Sequence, residues 1–434
     1  MDYRAALAYI DEHVNLERML GRGRPEAPTL DRMRRLVDVM GDPQLAYPVI
    51  HITGTNGKGS TAQIITRLLV AQGLTVGTYT SPHLERINER ISRDAEAITD
   101  EDFAEQVGAI ADLEVVAGVR PSYFEILTAA AYRWFADVAV DVAVVEVGLL
   151  GRWDATNVAD GRVCVVTNVG LDHTEMAGPT RADVAWEKAG IVKADSTLVL
   201  GETDPDLGAI FRAENPAAVW EREMDFGVSD NQLALGGRQL ELRTPLSAYG
   251  DLFLPLYGRH QGDNAAAALC AAESFFDAPL HPDVVTEAFA AVRMPGRFEV
   301  LGHQPLVVVD GAHNVPGVEV CAEVLADDFD PAGDKIFVVG LLRGHDITDM
   351  LGNLRIDEAA AIVCCTPPTP RAYPASELAA VARSLGCDQV LTVPDVAQAC
   401  DRALALAGAD DAVVVTGSLY LVGAARPHLR KVLA

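Results

Sequence analysis

A chain of 434 residues, 49% hydrophobic and 22% charged, is too long for one ordinary core and too apolar for a disordered protein, so two globular domains are expected. Its formal net charge of −27 opposes nonspecific binding to nucleic acid and to anionic membranes. Any anionic ligand must then be held by local donors, which makes clustered Lys, Arg and loop N–H groups informative.

The N-terminus, MDYRAALAYIDEH, carries acids early and lacks a basic-then-apolar leader pattern. No apolar run approaches the ~20 residues that span a bilayer. Seven scattered cysteines without C-x-x-C spacing read as buried thiols in a reducing compartment rather than a zinc site or a disulfide set. A soluble cytoplasmic protein is expected, with neither membrane nor nucleic acid as partner.

Along the chain, GRGRPEAP (21–28) reads as a loop, and PVIHIT (48–53) as the first strand. The strand runs into TGTNGKGS and then a helical pattern over 60–72. Strand, glycine-rich turn and helix is the setting of a phosphate loop: N–H groups converge on an anion, the helix dipole assists, and Lys58 neutralises phosphate. The spelling is irregular, because Ile52 stands where the usual pattern has its first glycine and Gly59 where it has a hydroxyl, with Ser60 one place late. The plainer reading is a tight strand–helix turn with an exposed lysine.

Strands follow at 75–80, 140–148, 163–170 and 197–201, with helices over 100–112, 122–137 and 181–190. These continuous apolar runs suit a parallel sheet covered on both faces, hence a doubly wound α/β domain. Its strand ends carry the polar residues. Ser81 follows the second strand, either as a magnesium-shell hydroxyl or as a plain Ser-Pro turn. Glu146 ends the next, as a metal ligand or as the ion-pair partner of Arg152. Asp172 and His173 follow the one after. Lys188, in WEKAGIVK, reads either as a surface salt bridge with Glu187 or as a cation facing a phosphate site, where an unmodified amine would repel the metal.

From 225 to 257, period-two alternation around Gly236–Gly237 predicts a small antiparallel β subregion, followed by an alanine-rich helix opened by Asn264. RMPGRFEVL (293–301) reads as a linker, with Arg297 placed to clamp phosphate. Beyond it strands and helices alternate again, predicting a smaller Rossmann-like α/β domain of about 130 residues, with Asp310 ending a strand. The boundaries expected are 1–296 and 297–434.

Together TGTNGKGS, YTSPHL, VVEVGLLGRWDATN, LDHTE, EKAGI, PGRFEV, DGAHN and VTGSLYLVG, in that order, resemble the folylpolyglutamate synthase/dihydrofolate synthase family of the Mur ligase superfamily. The resemblance covers nearly the whole chain. It implies an ATP-dependent ligase that adds L-glutamate to dihydropteroate or to reduced folates through an acyl phosphate, working as a monomer with two magnesium ions. Residue by residue it implies that Asn56, Gly57, Lys58, Gly59 and Ser60 cradle ATP, together with Asn264, Arg297 and Asp310. Ser81, Glu146 and His173 would hold magnesium, with Lys58, His173 and Lys188 catalytic and Lys188 carbamylated. Ser122, Tyr123, Phe124, Glu125, Trp153, Asp154 and Ala155 match the pterin region, and His313 and Ser418 the glutamate site.

Two positions depart from the family's usual pattern. Leu150 stands where E-V-G-L-G-G-R has a glycine, and RGHD (343–346) where many members have D-K-D. Two rival functions differ from the main one: a related amide ligase acting on another carboxylate, and a nucleotide-binding switch without ligase activity.

Overall fold

The structure, a computed structural model, describes residues 1–15, 29–172 and 174–434, so the loop expected at 21–28 and residue His173 lie outside the described residues. Among the described residues the chain divides into two compact units. One comprises 1–15, 29–172, 174–255 and 259–293, and the other comprises 256–258 and 294–434.

The larger unit is built on an eight-stranded sheet. Its strands are β1 (Val49–Thr53), β2 (Val76–Tyr79), β3 (Ile91–Arg93), β4 (Glu96–Ala97), β5 (Val142–Glu146), β6 (Gly161–Val166), β7 (Thr197–Leu200) and β8 (Ala218–Glu221). In space they run β4-β3-β2-β5-β1-β6-β7-β8. All pairings from β2 to β8 across β5, β1, β6 and β7 are parallel, whereas β3 and β4 pair antiparallel. Every residue of β1 and β5 is buried, the physical reason for their unbroken apolar sequences. β3, β4 and β8 are short and partly exposed, and so lack the apolar run that marks the others.

Four helices of this unit matter below: α1 (Lys58–Ala71), α2 (Tyr123–Asp137), α3 (Arg181–Ala189) and α4 (His260–Phe276). β1 lies mid-sheet between β5 and β6, so the loops leaving these three strands meet at one edge. Ligands bind at that edge of open parallel sheets. A separate antiparallel sheet, β9 (Gly227–Ala234), β10 (Gly237–Arg243) and β11 (Ala248–Leu254), forms the β subregion, with its first hairpin turning at Leu235–Gly236.

The smaller unit holds β12 (Glu299–His303), β13 (Leu306–Asp310), β14 (Lys335–Val339), β15 (Ala361–Cys364), β16 (Val390–Thr392) and β17 (Ala412–Thr416), ordered β12-β13-β17-β14-β15-β16. β12 alone is antiparallel. The second half of the stretch expected as linker is thus an edge strand, and its half-exposed positions explain why no apolar run announced it. All seven cysteines are buried and none is in a disulfide. Among the described residues, no helix is long and apolar enough to cross a membrane.

Candidate active site

The loop between β1 and α1 is held from behind by the segment that leaves β6. Thr55 N donates to Asn168 O at 3.0 Å, and Asn56 N to Asn168 Oδ1 at 3.0 Å. Asn168 Nδ2 and Thr167 Oγ1 both donate to Asn56 O, at 3.1 and 2.6 Å. Gly170 N closes the set on Thr55 Oγ1 at 2.9 Å. Thr167 and Asn168 were not singled out in the sequence; the signal was a polar pair ending an apolar strand in VCVVTNVG. Gly57, at φ +84°, opens α1, and a Cβ there would fall 2.3 Å from Asn264 Oδ1. Asn264, on α4, therefore lies against the turn.

Two lysines converge on this loop. Lys58 Nζ donates to Gly54 O at 3.0 Å and Thr55 O at 3.1 Å, while Lys188 Nζ reaches Gly54 O at 2.8 Å from α3. Lys188 is only 4% exposed, which overturns its reading as half of a surface salt bridge. Burial first, and then the charge of Lys58, bring its pKa down to about 7, against the opposing pull of Asp172 and Asp154. Of the chain's five lysines, these two donate to the Gly54 carbonyl.

Glu146, buried at the end of β5, accepts from Ser81 N at 3.2 Å, so the ends of β2 and β5 meet. Arg152 does not pair with Glu146: it pairs with Glu214 and lies over the Trp186 ring, 4.1 Å from its centroid. Among the described residues no three His, Cys, Asp or Glu side chains gather as a metal site. A carboxylate and a hydroxyl-bearing residue beside a phosphate loop nevertheless fit magnesium, which keeps most of its octahedral shell for water and phosphate oxygens.

The residues expected at the pterin region divide by how their polar atoms are used. Ser122 and Glu125 form the capping box of α2, with Ser122 N on Glu125 Oε2 at 2.6 Å and Glu125 N on Ser122 Oγ at 3.2 Å. Arg32 Nε adds a contact to Glu125 at 3.2 Å. Tyr123 lies beneath the Arg90 guanidinium. Phe124 covers Gly148, where a Cβ would fall 2.3 Å from Phe124 Cζ. Asp154 is buried and accepts from Leu149 N, Thr156 N and Thr156 Oγ1; burial raises its pKa against the lowering effect of these bonds. Ala155 is buried beside it, while Trp153 is 40% exposed.

In the smaller unit the residues collect at the C-terminal ends of β13, β17 and β14. Asp310 accepts from Phe298 N and Ala312 N, both at 2.9 Å, and Arg297 Nη1 donates to Gly311 O at 3.2 Å. His313 Nδ1 lies 3.0 Å from the same carbonyl. Ser418 caps α5 (Leu419–Leu433) through Leu421 N and donates to Gly340 O at 3.1 Å. In the RGHD segment, Arg343 stacks on Tyr373, and Asp346 caps the next helix.

A glycine-rich strand–helix turn with two converging lysines and a strand-end carboxylate defines a nucleotide-dependent transferase or ligase. Residues 296–419 match the Mur ligase, glutamate ligase domain, which selects the ligase class. The chain is 38% identical over 456 residues to the dihydrofolate synthase/folylpolyglutamate synthase of Mycobacterium tuberculosis, covering 95% of this chain and 93% of that one. It superposes with a TM-score of 0.90 and 36% identity on M. tuberculosis folylpolyglutamate synthase complexed with ADP and AMPPCP, over 99% of each chain. For E. coli FolC in complex with DHPP and ADP the TM-score is 0.88 at 27% identity, over 100% of this chain and 99% of that one. The chain belongs to the dihydrofolate synthase/folylpolyglutamate synthase family.

Proposed function

We infer that this protein is an ATP-dependent ligase that joins L-glutamate to dihydropteroate and to reduced folates. The observation that carries the reading is the pair Lys58 and Lys188 on the carbonyl of Gly54, beside Glu146 and Ser81 at the adjoining strand ends. It supports phosphoryl transfer, whose charge must be neutralised and positioned more than attacked by the protein.

A free carboxylate is a poor acylating agent. Transfer of the γ-phosphoryl of ATP to it breaks the Pβ–O–Pγ link and gives an acyl phosphate. The glutamate amine then adds to the carbonyl, loses its proton, and phosphate departs as the amide forms. Asn56 to Ser60 and Asn264 would cradle the nucleotide, with Lys58 on the phosphates. Ser81, Glu146 and His173 would hold magnesium, which when bound offsets phosphate charge. Residues up to 296 thus serve ATP and the pteridine, with Ser122 to Glu125 and Trp153 to Ala155 on the pteridine side. Within 297–434, Arg297 and Asp310 are taken as nucleotide contacts and His313 and Ser418 as glutamate contacts.

Lys188 supports a carbamate. An amine brought down to about 7 is largely neutral near physiological pH, and its lone pair adds to CO2 with release of one proton. The product is an anion, which would turn a buried amine into a partner for the metal. We take the enzyme to work as a cytoplasmic monomer on small molecules alone.

The test is phosphate release from Mg-ATP by the purified protein. Release should require both a pteridine carboxylate and L-glutamate. Turnover indifferent to pteridines would replace the folate assignment with that of a ligase for another carboxylate, and no amino-acid-dependent release at all would reject ligation.

A further inference from the structure

The loop 147–154 leaves β5 past Glu146 and carries Trp153 and Asp154. It is fastened on two sides. Thr53 Oγ1, on the strand that leads into the phosphate loop, donates to Leu150 O at 2.6 Å. On the other side the loop meets the end of α3, which carries Lys188. There Arg152 N donates to Glu187 O at 2.7 Å, and Asn157 Nδ2 bridges Arg152 O and Gly190 O at 2.9 and 3.0 Å. The approach is backbone to backbone: a Cβ on Gly190 would fall 2.4 Å from Arg152 Cβ, and one on Gly151 would fall 2.9 Å from Glu187 O.

The Arg152 side chain completes this joint. Its guanidinium lies over the Trp186 ring at 4.1 Å, and its Nη2 both donates to Trp186 O at 3.0 Å and pairs with Glu214. Ring, carbonyl and carboxylate thus hold one planar cation between separate segments of the chain. A planar guanidinium can lie flat on the ring while one of its nitrogens donates at the edge, whereas a compact ammonium has no face to stack.

Resting on the ligase reading, we propose that Arg152 is the positioning residue that sets the pteridine-side loop against the Lys188 turn. It does not touch the reacting atoms. Its side chain fixes where Trp153 and Asp154 sit relative to the lysine-bearing turn, so that a bound pteridine presents its carboxylate to the phosphate-loop end of the site. The main-chain bonds keep the loop folded without it. What the side chain adds is register, and a displacement of about 1 Å at such a loop is enough to weaken productive binding by tenfold or more.

The experiment is steady-state kinetics on the full-length protein with each substrate varied in turn. Arg152→Ala is expected to raise KM for the pteridine carboxylate about tenfold, while KM for ATP and for glutamate stay within about twofold. Millimolar guanidinium should recover much of the loss, because it can refill the slot between Trp186 and Glu214; Arg152→Lys should recover little. Trp186 is 49% exposed, so Trp186→Ala leaves the core intact and should shift the same KM by a smaller factor. The proposal is overturned if Arg152→Ala lowers the melting temperature with all three KM values unchanged, or raises all three alike without guanidinium rescue. Should Arg152→Ala not fold, an unchanged pteridine KM in Trp186→Ala would overturn it instead. Wild-type protein lacking pteridine-dependent phosphate release is a different failure: it rejects the ligase reading, and the positioning role falls with it.

Discussion

Lys58 and Lys188 donate to one oxygen, the carbonyl of Gly54, at 3.0 and 2.8 Å. Burial of Lys188, and after it the repulsion from Lys58, bring its pKa down to about 7. The site therefore contains an amine that is nucleophilic toward CO2 at neutral pH, beside a second lysine that stays available to phosphate.

Lys188→Ala is accordingly expected to abolish glutamate addition, with partial recovery by added bicarbonate or a short carboxylate. In wild type incubated with 13C-bicarbonate, a carbamate resonance should appear that is missing from Lys188→Ala; its absence under turnover conditions would count against carbamylation. The unmodified amine also makes a pH prediction. Its folded pKa lies below the ordinary 10.5, so below about 7 the folded state bears the full cost of a buried charge. Between about 7 and 10.5 the unfolded chain binds more protons than the folded one, and stability rises with pH. In CO2-free buffer, wild type should gain melting temperature relative to Lys188→Met over that interval.

Leu150 sets backbone strain against packing. It sits at φ +61°, in the left-handed region that costs a side-chain-bearing residue about 1–2 kcal/mol, where the family's usual sequence has glycine. Yet it is 8% exposed and packs among Val147, Val166 and Val184, and truncating a buried leucine costs about 2–5 kcal/mol. Packing outweighs strain. Leu150→Gly should therefore destabilise by about 1–3 kcal/mol in urea unfolding, and a stabilised variant would show that the backbone strain outweighs the lost packing.

Much of this arrangement was legible because the larger sheet is buried on both faces. Apolar runs marked β1, β5 and β6, and the polar residues at their ends marked the edge where the loops leaving these strands meet. Lys188 was ambiguous because helical spacing alone does not tell which face of WEKAGIVK is covered; that depends on Gly151 and Gly190 admitting a neighbouring loop. Arg152 was read against Glu146, six positions away, whereas its partner Glu214 is brought in from another helix end by the fold. Asn168 escaped because its one local signal, a polar pair ending an apolar strand, does not by itself tell a buttress from an ordinary loop asparagine. β12 escaped because an edge strand needs no apolar run.

The charge of −27, from 62 Asp and Glu against 35 Lys and Arg, leaves the surface rich in carboxylates that repel one another. At 1 M salt the Debye length falls to about 3 Å, so most of that repulsion is screened. Melting temperature should rise as KCl is raised from 0.1 to about 1 M, the reverse of a protein held by exposed ion pairs. A flat or falling curve would mean that surface ion pairs outweigh the net repulsion.

Glu299 joins the start of β12 to the C-terminal helix α5. Its carboxylate takes a two-pronged contact from Arg426 at 2.7 and 2.9 Å, a third from Arg430 at 3.1 Å, and Gly296 N at 2.8 Å. Burial works to raise its pKa, but the Arg426 fork, the Gly296 N–H and the Arg430 charge outweigh it, and the carboxyl titrates below its ordinary 4.5. A depressed carboxylate stabilises the folded state above its unfolded pKa, and that contribution is lost as pH falls from about 4.5 through the lowered value. Removing the charge takes from Arg426, whose side chain is 9% exposed, the carboxylate that its guanidinium grips in two places. Breaking such a pair costs about 3 kcal/mol when fully buried, and this one is partly exposed, so Glu299→Gln should cost about 1–3 kcal/mol at pH 7. The deficit against wild type should shrink below pH 4.5, where wild type loses the same charge. Because Gly296 N and the turn that carries Arg297 hang on this carboxylate, KM for ATP should rise in the same variant; an unchanged KM would separate the clamp from the nucleotide site.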